Sequence, residues 1–239
     1  MSELIVTTSW DDGQKTDLKT AELLTKYNIK GTFYITKCYR NPLDKQEVIE
    51  IDREHEIGAH TLSHVDLTNT STSEVDMEIK GSKAYSEDIV GHSILMFCYP
   101  YGKYNKSIKR IVRDCGFAGA RTCESGGFTL PQDPYQWSIT LLAENGSPLI
   151  AFKTWREFRL RGIIPLLDWE SRSKALFDIA LGNGGVYHIV GHSAAFEKRK
   201  EWDKLERVLK YFSNREGVKY LTNGEVFKAY PIDGEKCIF

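Results

Sequence analysis

Two adjacent acids and a pair of histidines are the residues whose types and spacing best fit a catalytic or metal-binding site. Asp11 and Asp12 follow the β-branched run Leu4–Thr8, so they stand where a strand gives way to a turn. His60 and His64 follow a second short apolar run, and their spacing of four lets both imidazoles share one face of a helical turn. Each pair alone also has a plain structural explanation, as a capped surface turn or as hydrogen-bonded surface histidines.

Together, the two pairs predict a hydrolytic metal site. One carboxylate and two imidazoles with open positions suit a divalent ion that activates water. Because side chains alternate along a strand, one acid can face the ion while the other faces the substrate as a general base. His192, which follows the apolar run 186–190, is a candidate acid. His188 precedes it on the same strand face and is interpreted as a core or supporting residue.

The same ligand set leaves the metal and a second enzyme class open. Zn²⁺ is the first expectation, and Co²⁺, Ni²⁺ and Fe²⁺ accept the same ligands. Two histidines and one carboxylate also bind Fe(II) in non-haem oxygenases. Those ligands usually lie on a double-stranded antiparallel β fold, whereas this chain alternates β-rich and helical segments.

That alternation is typical of β-α units around a parallel sheet or barrel, whose active sites gather at the carboxyl ends of the strands. Predicted strands cover residues 4–8, 31–36, 56–60, 94–100, 117–121, 186–190 and 218–222. Predicted helices cover residues 17–27, 44–52, 72–89, 105–115, 171–181 and 201–212, with a short helix after residue 223. The stretch 125–165 holds four prolines and scattered aromatics, which indicates long loops.

Composition limits the class of protein. The 239 residues show no internal repeat or dividing linker and predict a single domain over 1–239. Thirty-two basic against 33 acidic residues give a net charge of −1, which excludes a broadly basic nucleic-acid binder. Five cysteines without a C-x-x-C pair indicate reduced thiols. The sequence shows neither a signal-peptide pattern nor an apolar run near ~20 residues, so a cytoplasmic protein with no membrane span is expected.

The order and surroundings of these residues resemble the polysaccharide deacetylase family, the NodB-homology or carbohydrate esterase 4 group. TTSWDDG (7–13) is similar to the first family motif, usually T-F-D-D-G, and HTLSH (60–64) matches H-[ST]-x-x-H. FCYPYGKYN (97–105) resembles the third motif, usually R-x-P-Y-G, and VGHS (190–193) lies where the final L-x-H falls. The resemblance covers most of the chain and implies a distorted (β/α)₇ barrel.

The resemblance also implies roles for particular residues. Asp11 would be the general base and His192 the general acid, while Asp12, His60 and His64 would bind one divalent metal ion. The backbone N–H of Tyr101 would help to hold the tetrahedral oxyanion. Pro100 and Trp10 lie in the same motifs, and the rings of Trp10 and Tyr101 would offer faces for sugar stacking. Trp137 and Trp155 are more plausible as core residues.

The implied reaction is removal of N-acetyl groups from a carbohydrate or glycoconjugate. With no exported destination indicated, the expected substrate is a nucleotide-linked or lipid-linked sugar or a precursor oligosaccharide. A small non-sugar amide on the same barrel is the alternative. The sequence leaves the oligomeric state open.

Three positions depart from the family pattern. Cys98 stands where the third motif has the arginine that orients the base, and Arg121 at the end of the next predicted strand is a candidate replacement. Arg121 is otherwise a surface residue. Asp168 is the nearest counterpart of the fourth-motif acid, with Pro165 in the place of a preceding acid, and a helix N-terminus explains Asp168 equally well. Because Cys98 stands in place of this arginine, a catalytically inactive barrel that only binds carbohydrate is a second interpretation.

Overall fold

A curved parallel sheet lies at the centre of the protein. The computed structural model describes residues 3–125, 127–144, 152, 156 and 168–231. The strands are β1 (Leu4–Asp12), β2 (Gly31–Ile35), β3 (Glu56–Ala59), β4 (Met96–Cys98), β5 (Gly119–Ser125), β6 (Trp137–Ile139), β7 (Leu141–Leu142), β8 (Gly185–Gly191) and β9 (Val218–Tyr220). The helices are α1 (Asp17–Lys26), α2 (Lys45–Asp52), α3 (Thr72–Val90), α4 (Lys106–Asp114), α5 (Trp169–Asn183), α6 (Ser193–Arg199), α7 (Trp202–Phe212) and α8 (Asn223–Ala229).

The sheet order is β6-β5-β4-β3-β2-β1-β8-β7, and β9 pairs with the first residues of β1. Every residue of β1 is buried, as expected for a central parallel strand with packed side chains on both faces. The pairing of β1 with β2 continues to Asp11 and Asp12, opposite Tyr34 and Ile35. The strand is therefore longer than the run 4–8 predicted from the sequence, because main-chain pairing carries it through the acidic pair.

The sheet nearly closes into a barrel, and the strand at the closure is interrupted by one residue. Thr140 separates β6, which pairs with β5, from β7, which pairs with β8. The N–H of Thr140 donates to the carbonyl of His188 at 2.9 Å, and the N–H of His188 donates to Thr140 Oγ1 at 3.0 Å. Counted as one interrupted strand, β6 and β7 complete a seven-stranded circuit with β1–β5 and β8. The distorted (β/α)₇ barrel predicted from the sequence is confirmed.

The helices begin where their capping residues predict. Asp44, Ser71 and Thr222 each form a capping box with the glutamate three residues later, and Asn105 caps α4. The apolar faces of the helices pack on the barrel through buried residues that include Leu24, Val48, Ile79, Val112, Leu176 and Leu209. Among the described residues, no helix combines the length and apolarity needed to cross a membrane.

The stretch 125–165 departs from its prediction. Long loops were expected there, but residues 137–142 form β6 and β7 and complete the barrel. Two strands of three and two residues are too short to show a hydrophobic period. Most of the remainder, including Trp155 and Pro165, lies outside the described residues.

Candidate active site

The predicted site residues converge at the carboxyl ends of the barrel strands. The acidic pair ends β1, the two histidines follow β3, and the turn that carries Tyr101 follows β4. Arg121 lies on β5, and His192 follows β8. Five separate strands thus direct side chains into one region, which is where β/α barrels place their catalytic groups.

Asp12, His60 and His64 form the group best suited to hold a metal ion. One ligand atom from each lies within 4.8 Å of the others. Asp12 Oδ1 is 3.4 Å from His64 Nε2 and 3.9 Å from His60 Nε2. Ligands at about 2.0–2.2 Å from one tetrahedral ion lie roughly 3.3–3.6 Å apart, so the three atoms fit around such an ion with little movement.

The protonation of His60 also suits a cation. His60 Nδ1 lies 2.8 Å from the carbonyl oxygen of Cys98, which assigns the proton to Nδ1 and leaves the Nε2 lone pair facing Asp12. Burial lowers the pKa of His60 to about 3, so the ring is neutral at ordinary pH. Burial raises the pKa of Asp12, because a charged carboxylate is unfavourable in a buried site. A cation bound to this carboxylate would offset the unfavourable free energy of burying the charge.

The segment 60–64 is a loop, which corrects the predicted helical turn. Thr61 and His64 have left-handed φ values of 63° and 54°, so the backbone cannot follow one helical turn. Glu78 of α3 fixes the loop by accepting hydrogen bonds from the N–H groups of Leu62 and Ser63 and from the Ser63 hydroxyl. The two imidazoles still meet, with ring centroids 4.8 Å apart.

Asp11 is paired with a fully buried arginine. Both carboxylate oxygens accept hydrogen bonds from Arg121 Nη2, and neither side chain is appreciably exposed. Burial raises the pKa of the Asp11 carboxyl, but the positive charge of Arg121 acts against burial and, together with His60, His192 and the hydrogen bonds from Arg121, brings the pKa down to about 2. Asp11 is therefore ionised throughout the neutral range. Arg121, the candidate replacement for the family arginine, thus lies beside Asp11 and is not a surface residue.

His192 faces Asp11 from the end of the neighbouring strand, β8. Its Nε2 lies 3.9 Å from Asp11 Oδ2, and its Nδ1 lies 2.9 Å from Glu144 Oε1. Burial acts to lower the pKa of His192, but Glu144 and Asp11, with a further contribution from Asp12, raise it to about 9. The imidazole is consequently protonated at neutral pH, with one N–H held by Glu144 and the other turned toward the site.

Glu144 was missed by the sequence analysis. It follows β7, in the stretch that showed no clear pattern, and its second oxygen accepts a hydrogen bond from Arg199 at 3.0 Å. The ion pairs with His192 and Arg199 hold the pKa of Glu144 low, against the effect of burial. Its one available sequence signal is an acid just beyond a short apolar run, which is too common to select it.

The family comparison agrees with this geometry. The sequence model described as polysaccharide deacetylase matches residues 1–120, about half of the chain. The chain belongs to the polysaccharide deacetylase family. The matched part holds the acidic pair, both histidines of the loop after β3 and the Tyr101 turn, while His192 and Glu144 lie beyond it.

Individual bacterial deacetylases align with about half of the chain. A peptidoglycan-N-acetylglucosamine deacetylase of Bacillus cereus is 26% identical over 141 residues, which are 57% of this chain and 62% of that protein. One of Listeria monocytogenes is 30% identical over 105 residues, 42% of this chain and 22% of that protein. The matches therefore span less than two thirds of either relative.

Solved deacetylase structures share the fold. A carbohydrate esterase 4 domain of a multidomain xylanase, from a Trinervitermes trinervoides hindgut metagenome, covers 98% of this chain and 96% of its own, with a TM-score of 0.62 and 16% identity. The peptidoglycan deacetylase PdaC of Bacillus subtilis covers 95% and 93%, with a TM-score of 0.59 and 19% identity. The distorted barrel of the deacetylase family thus extends over nearly the whole chain.

Cys98, which replaces the arginine of the deacetylase motif, lies beside the arginine that comes from β5. Its Sγ accepts a hydrogen bond from Arg121 Nη2 at 2.7 Å and lies 3.9 Å from Asp11 Oδ2. Burial raises the pKa of the thiol well above its usual range, so the sulfur is protonated and uncharged. A small neutral side chain here leaves the space that the Arg121 guanidinium fills.

The turn after β4 presents Tyr101 to the site. Its φ of 59° is left-handed, an uncommon conformation for a bulky residue, and its side chain is 61% exposed. The ring meets His64 edge-on with centroids 4.8 Å apart. The hydrogen bonds of the turn are donated by the N–H groups of Gly102 and Lys103, and Pro100 itself is buried.

Trp10 belongs to the core, which corrects its predicted contact with sugar. Its side chain is 0% exposed, and its indole N–H donates to Thr8 Oγ1 at 2.9 Å. The ring packs against Phe196 and leaves no room for a Cβ at Gly191. The face of Trp10 is therefore closed to any ligand.

His188, Trp137 and Asp168 have structural partners. His188 is buried inside the barrel, 2.6 Å from Ser9 Oγ, and its ring packs on the buried Trp137 at 4.5 Å. Asp168 caps α5 through the N–H of Ser171 and pairs with Lys204 at 3.1 Å. These contacts match the core and helix-cap interpretations of His188 and Asp168.

Proposed function

We propose that this protein is a metal-dependent hydrolase that removes N-acetyl groups from a carbohydrate or glycoconjugate. The observation that carries the proposal is an ionised acid, Asp11, that faces a protonated histidine, His192. Both lie beside the group of Asp12, His60 and His64, which could hold a metal ion. Asp11 has a pKa of about 2 and His192 a pKa of about 9, and their facing atoms lie 3.9 Å apart. Two titratable groups whose pKa values are pushed apart supply a base and an acid at the same pH.

The metal ligands would be Asp12, His60 and His64, and Zn²⁺ is the first choice among Zn²⁺, Co²⁺, Ni²⁺ and Fe²⁺. When bound, the ion supplies Lewis acidity that polarises the acyl oxygen and makes water easier to deprotonate. This assignment is supported by the neutral His60 ring, whose Nε2 faces Asp12, and by the distances from Asp12 to both imidazoles.

The protein side chains account for the two proton transfers. Asp11 accepts a proton from the attacking water, and Arg121 keeps its carboxylate ionised and aimed. His192 donates its Nε2 proton to the departing amine, so that the C–N bond breaks to give acetate and a free amine. Glu144 holds the other nitrogen of His192 and thereby orients the ring.

The N–H of Tyr101 is proposed to donate to the oxyanion of the tetrahedral intermediate. The left-handed backbone and the engaged N–H groups of its neighbours support this role. Such a donor contributes roughly 3–4 kcal/mol to transition-state stabilisation. The side chain of Tyr101 would cover one side of the sugar, without the help predicted for Trp10.

The Asp11–Arg121 pair argues against the inactive barrel. That alternative rested on the loss of the family arginine at residue 98, and a guanidinium from β5 supplies the missing charge. The parallel barrel likewise gives no support to the oxygenase alternative, whose ligands usually lie on an antiparallel β fold. We propose residues 1–239 as one catalytic domain.

Release of acetate from N-acetylglucosamine oligomers, by Zn²⁺-loaded protein, tests the proposal. We expect turnover by the wild type and at least a roughly 100-fold loss in Asp11→Asn, because the amide cannot accept the proton. Lys228→Ala, an exposed substitution on α8, is the matched control and should retain full activity. Turnover of small non-sugar amides but of no N-acetylated sugar would reject the carbohydrate part.

A further inference from the structure

A tyrosine of β2 lies against the guanidinium that holds the proposed base. Tyr34 and Asp11 are register partners on neighbouring strands, and Arg121 Cζ lies 5.3 Å from the centroid of the Tyr34 ring. All three side chains are buried. A desolvated guanidinium is attracted to the negative face of an aromatic ring and stacks on it, so the contact favours one orientation of the guanidinium plane.

The hydrogen bonds of Arg121 do not fix that plane by themselves. Its Nη2 donates to both carboxylate oxygens of Asp11 and to Cys98 Sγ, and its Nη1 donates to the Thr122 carbonyl at 3.2 Å. Its Nε has no hydrogen-bond partner among the described residues. The donors of a guanidinium lie in its plane, so a group that packs on its face is needed to prevent tilting. The Tyr34 ring is such a group.

The Tyr34 ring is anchored at its hydroxyl end by a buried amide. The hydroxyl oxygen accepts a hydrogen bond from Asn223 Nδ2 at 2.8 Å. The same nitrogen donates to Ser9 Oγ at 2.8 Å, and Asn223 Oδ1 accepts from the Thr7 hydroxyl at 2.7 Å. Asn223 is fully buried and is the first residue of α8. The start of α8 therefore holds the ring from inside the barrel.

A glycine on the next strand makes room for the same ring. Gly58 of β3 is the register partner of Tyr34. A Cβ at Gly58 would lie 2.5 Å from Tyr34 Cδ1 and 2.6 Å from Tyr34 Cε1, which is too close for any side chain. The ring is thus confined by β3 at its edge and by Asn223 at its hydroxyl.

We infer that Tyr34 is a positioning residue for the reaction: its ring, anchored by Asn223, fixes the plane of the Arg121 guanidinium and thereby the direction of the Asp11 carboxylate. The inference rests on the proposed deacetylase function, in which Asp11 is the base. It adds two residues outside the group of proposed catalytic and metal-binding side chains. An arginine that reaches across the barrel needs such support, because its long side chain loses much rotamer freedom when it is held in one position.

Kinetics of variants with and without the ring test the inference. For Zn²⁺-loaded Tyr34→Leu we expect kcat for N-acetylglucosamine oligomers to fall roughly 10- to 30-fold, with KM within about twofold of the wild type, because the base is misdirected. Tyr34→Phe keeps the ring and loses only the hydrogen bond from Asn223, so kcat should fall about 2- to 5-fold. Tyr187→Leu is the matched control. Tyr187 is also a buried strand tyrosine, but its hydroxyl pairs with Ser173 of α5, so its loss should lower stability and leave kcat unchanged.

The motion of the guanidinium is measured without any turnover. In protein made with isotope-labelled arginine, slow rotation about the Nε–Cζ bond gives separate NMR resonances for Nη1 and Nη2, and Arg121→Lys identifies those of residue 121. We expect separate resonances in the wild type, in Tyr34→Phe and in Tyr187→Leu. In Tyr34→Leu the resonances should coalesce, because the guanidinium turns faster without the ring.

Gly58→Ala tests the same relationship with the side chains of Tyr34 and Arg121 retained. Its Cβ displaces the ring, so kcat should fall and the Arg121 resonances should coalesce as in Tyr34→Leu. Wild-type resonances and kcat in this variant would contradict the role of Tyr34.

Failure of the inference and failure of the proposed function give different results. Acetate release by the wild type, with a loss of kcat in Tyr34→Leu no larger than in Tyr187→Leu and with separate Arg121 resonances in both, would overturn the role of Tyr34 and leave the deacetylase function standing. Resonances that coalesce in Tyr34→Leu, without acetate release by the wild type from any N-acetylated sugar, would overturn the function and keep the contact that holds Arg121.

Discussion

Asp11 and Arg121 meet across the interior of the barrel, 110 residues apart in the chain, with both carboxylate oxygens bound to one guanidinium nitrogen. They lie on β1 and β5, which are not neighbours in the sheet. The same nitrogen donates to Cys98 Sγ, so a side chain from β4 completes the contact. The proposed base thus has an arginine partner, and this arginine enters from β5 instead of from the strand that carries Cys98.

Substitution of Arg121 by lysine should impair catalysis more than folding. Lysine keeps the positive charge but cannot bind both oxygens and the sulfur in the same plane, so Asp11 loses its orientation. We expect kcat to fall about 100-fold with a smaller change in KM, measured by acetate release alongside thermal unfolding. A kcat within threefold of the wild type would show that Arg121 does not orient the base.

A second guanidinium at residue 98 tests whether the two entry points are equivalent. Cys98→Arg alone should destabilise the protein, because a second cation and a large side chain enter a fully buried site. Cys98→Arg combined with Arg121→Ala should retain more activity than Arg121→Ala alone. The double-mutant cycle measures this coupling, and additive effects would contradict it.

The Glu144–His192 pair predicts the alkaline limit of activity. The acid form of His192 persists up to its pKa of about 9, so activity should fall as pH rises through that value. Glu144→Gln removes the charge that raises this pKa, and the falling limb of the kcat/KM profile should move to lower pH by roughly one unit. Glu197→Gln, on the helix that follows His192, is the control. An unchanged alkaline limb in Glu144→Gln would show that Glu144 does not raise the pKa of the proposed acid, His192.

Metal binding should be visible without any turnover. Adding Zn²⁺ to chelator-treated protein should raise the free energy of unfolding by about 2.7 kcal/mol at a free concentration of 100 times Kd. His60→Ala and His64→Ala should remove most of this stabilisation. His92→Ala, an exposed histidine that pairs with Asp52, should leave it intact. Equal stabilisation of all three variants would place the ion elsewhere.

Glu78 should influence metal affinity without touching the ion. It holds the loop 60–64 through two N–H groups and the Ser63 hydroxyl, and Glu78→Gln weakens that support. We expect Zn²⁺ affinity to fall roughly 10- to 100-fold, the usual effect of losing such a supporting contact. Asp76→Asn on the same helix alters an exposed pair with Lys80 and serves as the control. Equal affinities in the two variants would contradict the role of Glu78.

Short motifs and capping residues made most of the scaffold predictable. Residues 11–12 and residues 60–64 are each a short continuous segment, so the sequence alone indicates the chemistry of their side chains. Helices such as α2 and α3 begin at Asp44 and Ser71 because local hydrogen bonds decide those ends. The parallel barrel follows from strands and helices that alternate over most of the chain.

Features set by distant contacts were not predictable in the same way. Glu144 becomes significant because β7 carries it to His192, 48 residues away in sequence. The spacing of His60 and His64 suggests a helical turn, yet Glu78 stabilises a left-handed loop instead. Burial on both faces of β1 also hides which side Trp10 occupies, since apolar alternation distinguishes faces only when one of them meets water.

Trp10 therefore offers a test that separates core from substrate contacts. Its ring is closed in by Phe196 and Gly191, and its N–H satisfies the Thr8 hydroxyl. Trp10→Phe should lower the free energy of unfolding by about 1–3 kcal/mol, through lost packing and the loss of the hydrogen bond to Thr8, and leave KM unchanged. Tyr101→Ala should do the reverse, raising KM with little loss of stability, because the ring is exposed beside His64. Denaturant unfolding and steady-state kinetics on both variants measure the contrast. A rise in KM for Trp10→Phe as large as for Tyr101→Ala would show that Trp10 contacts the substrate.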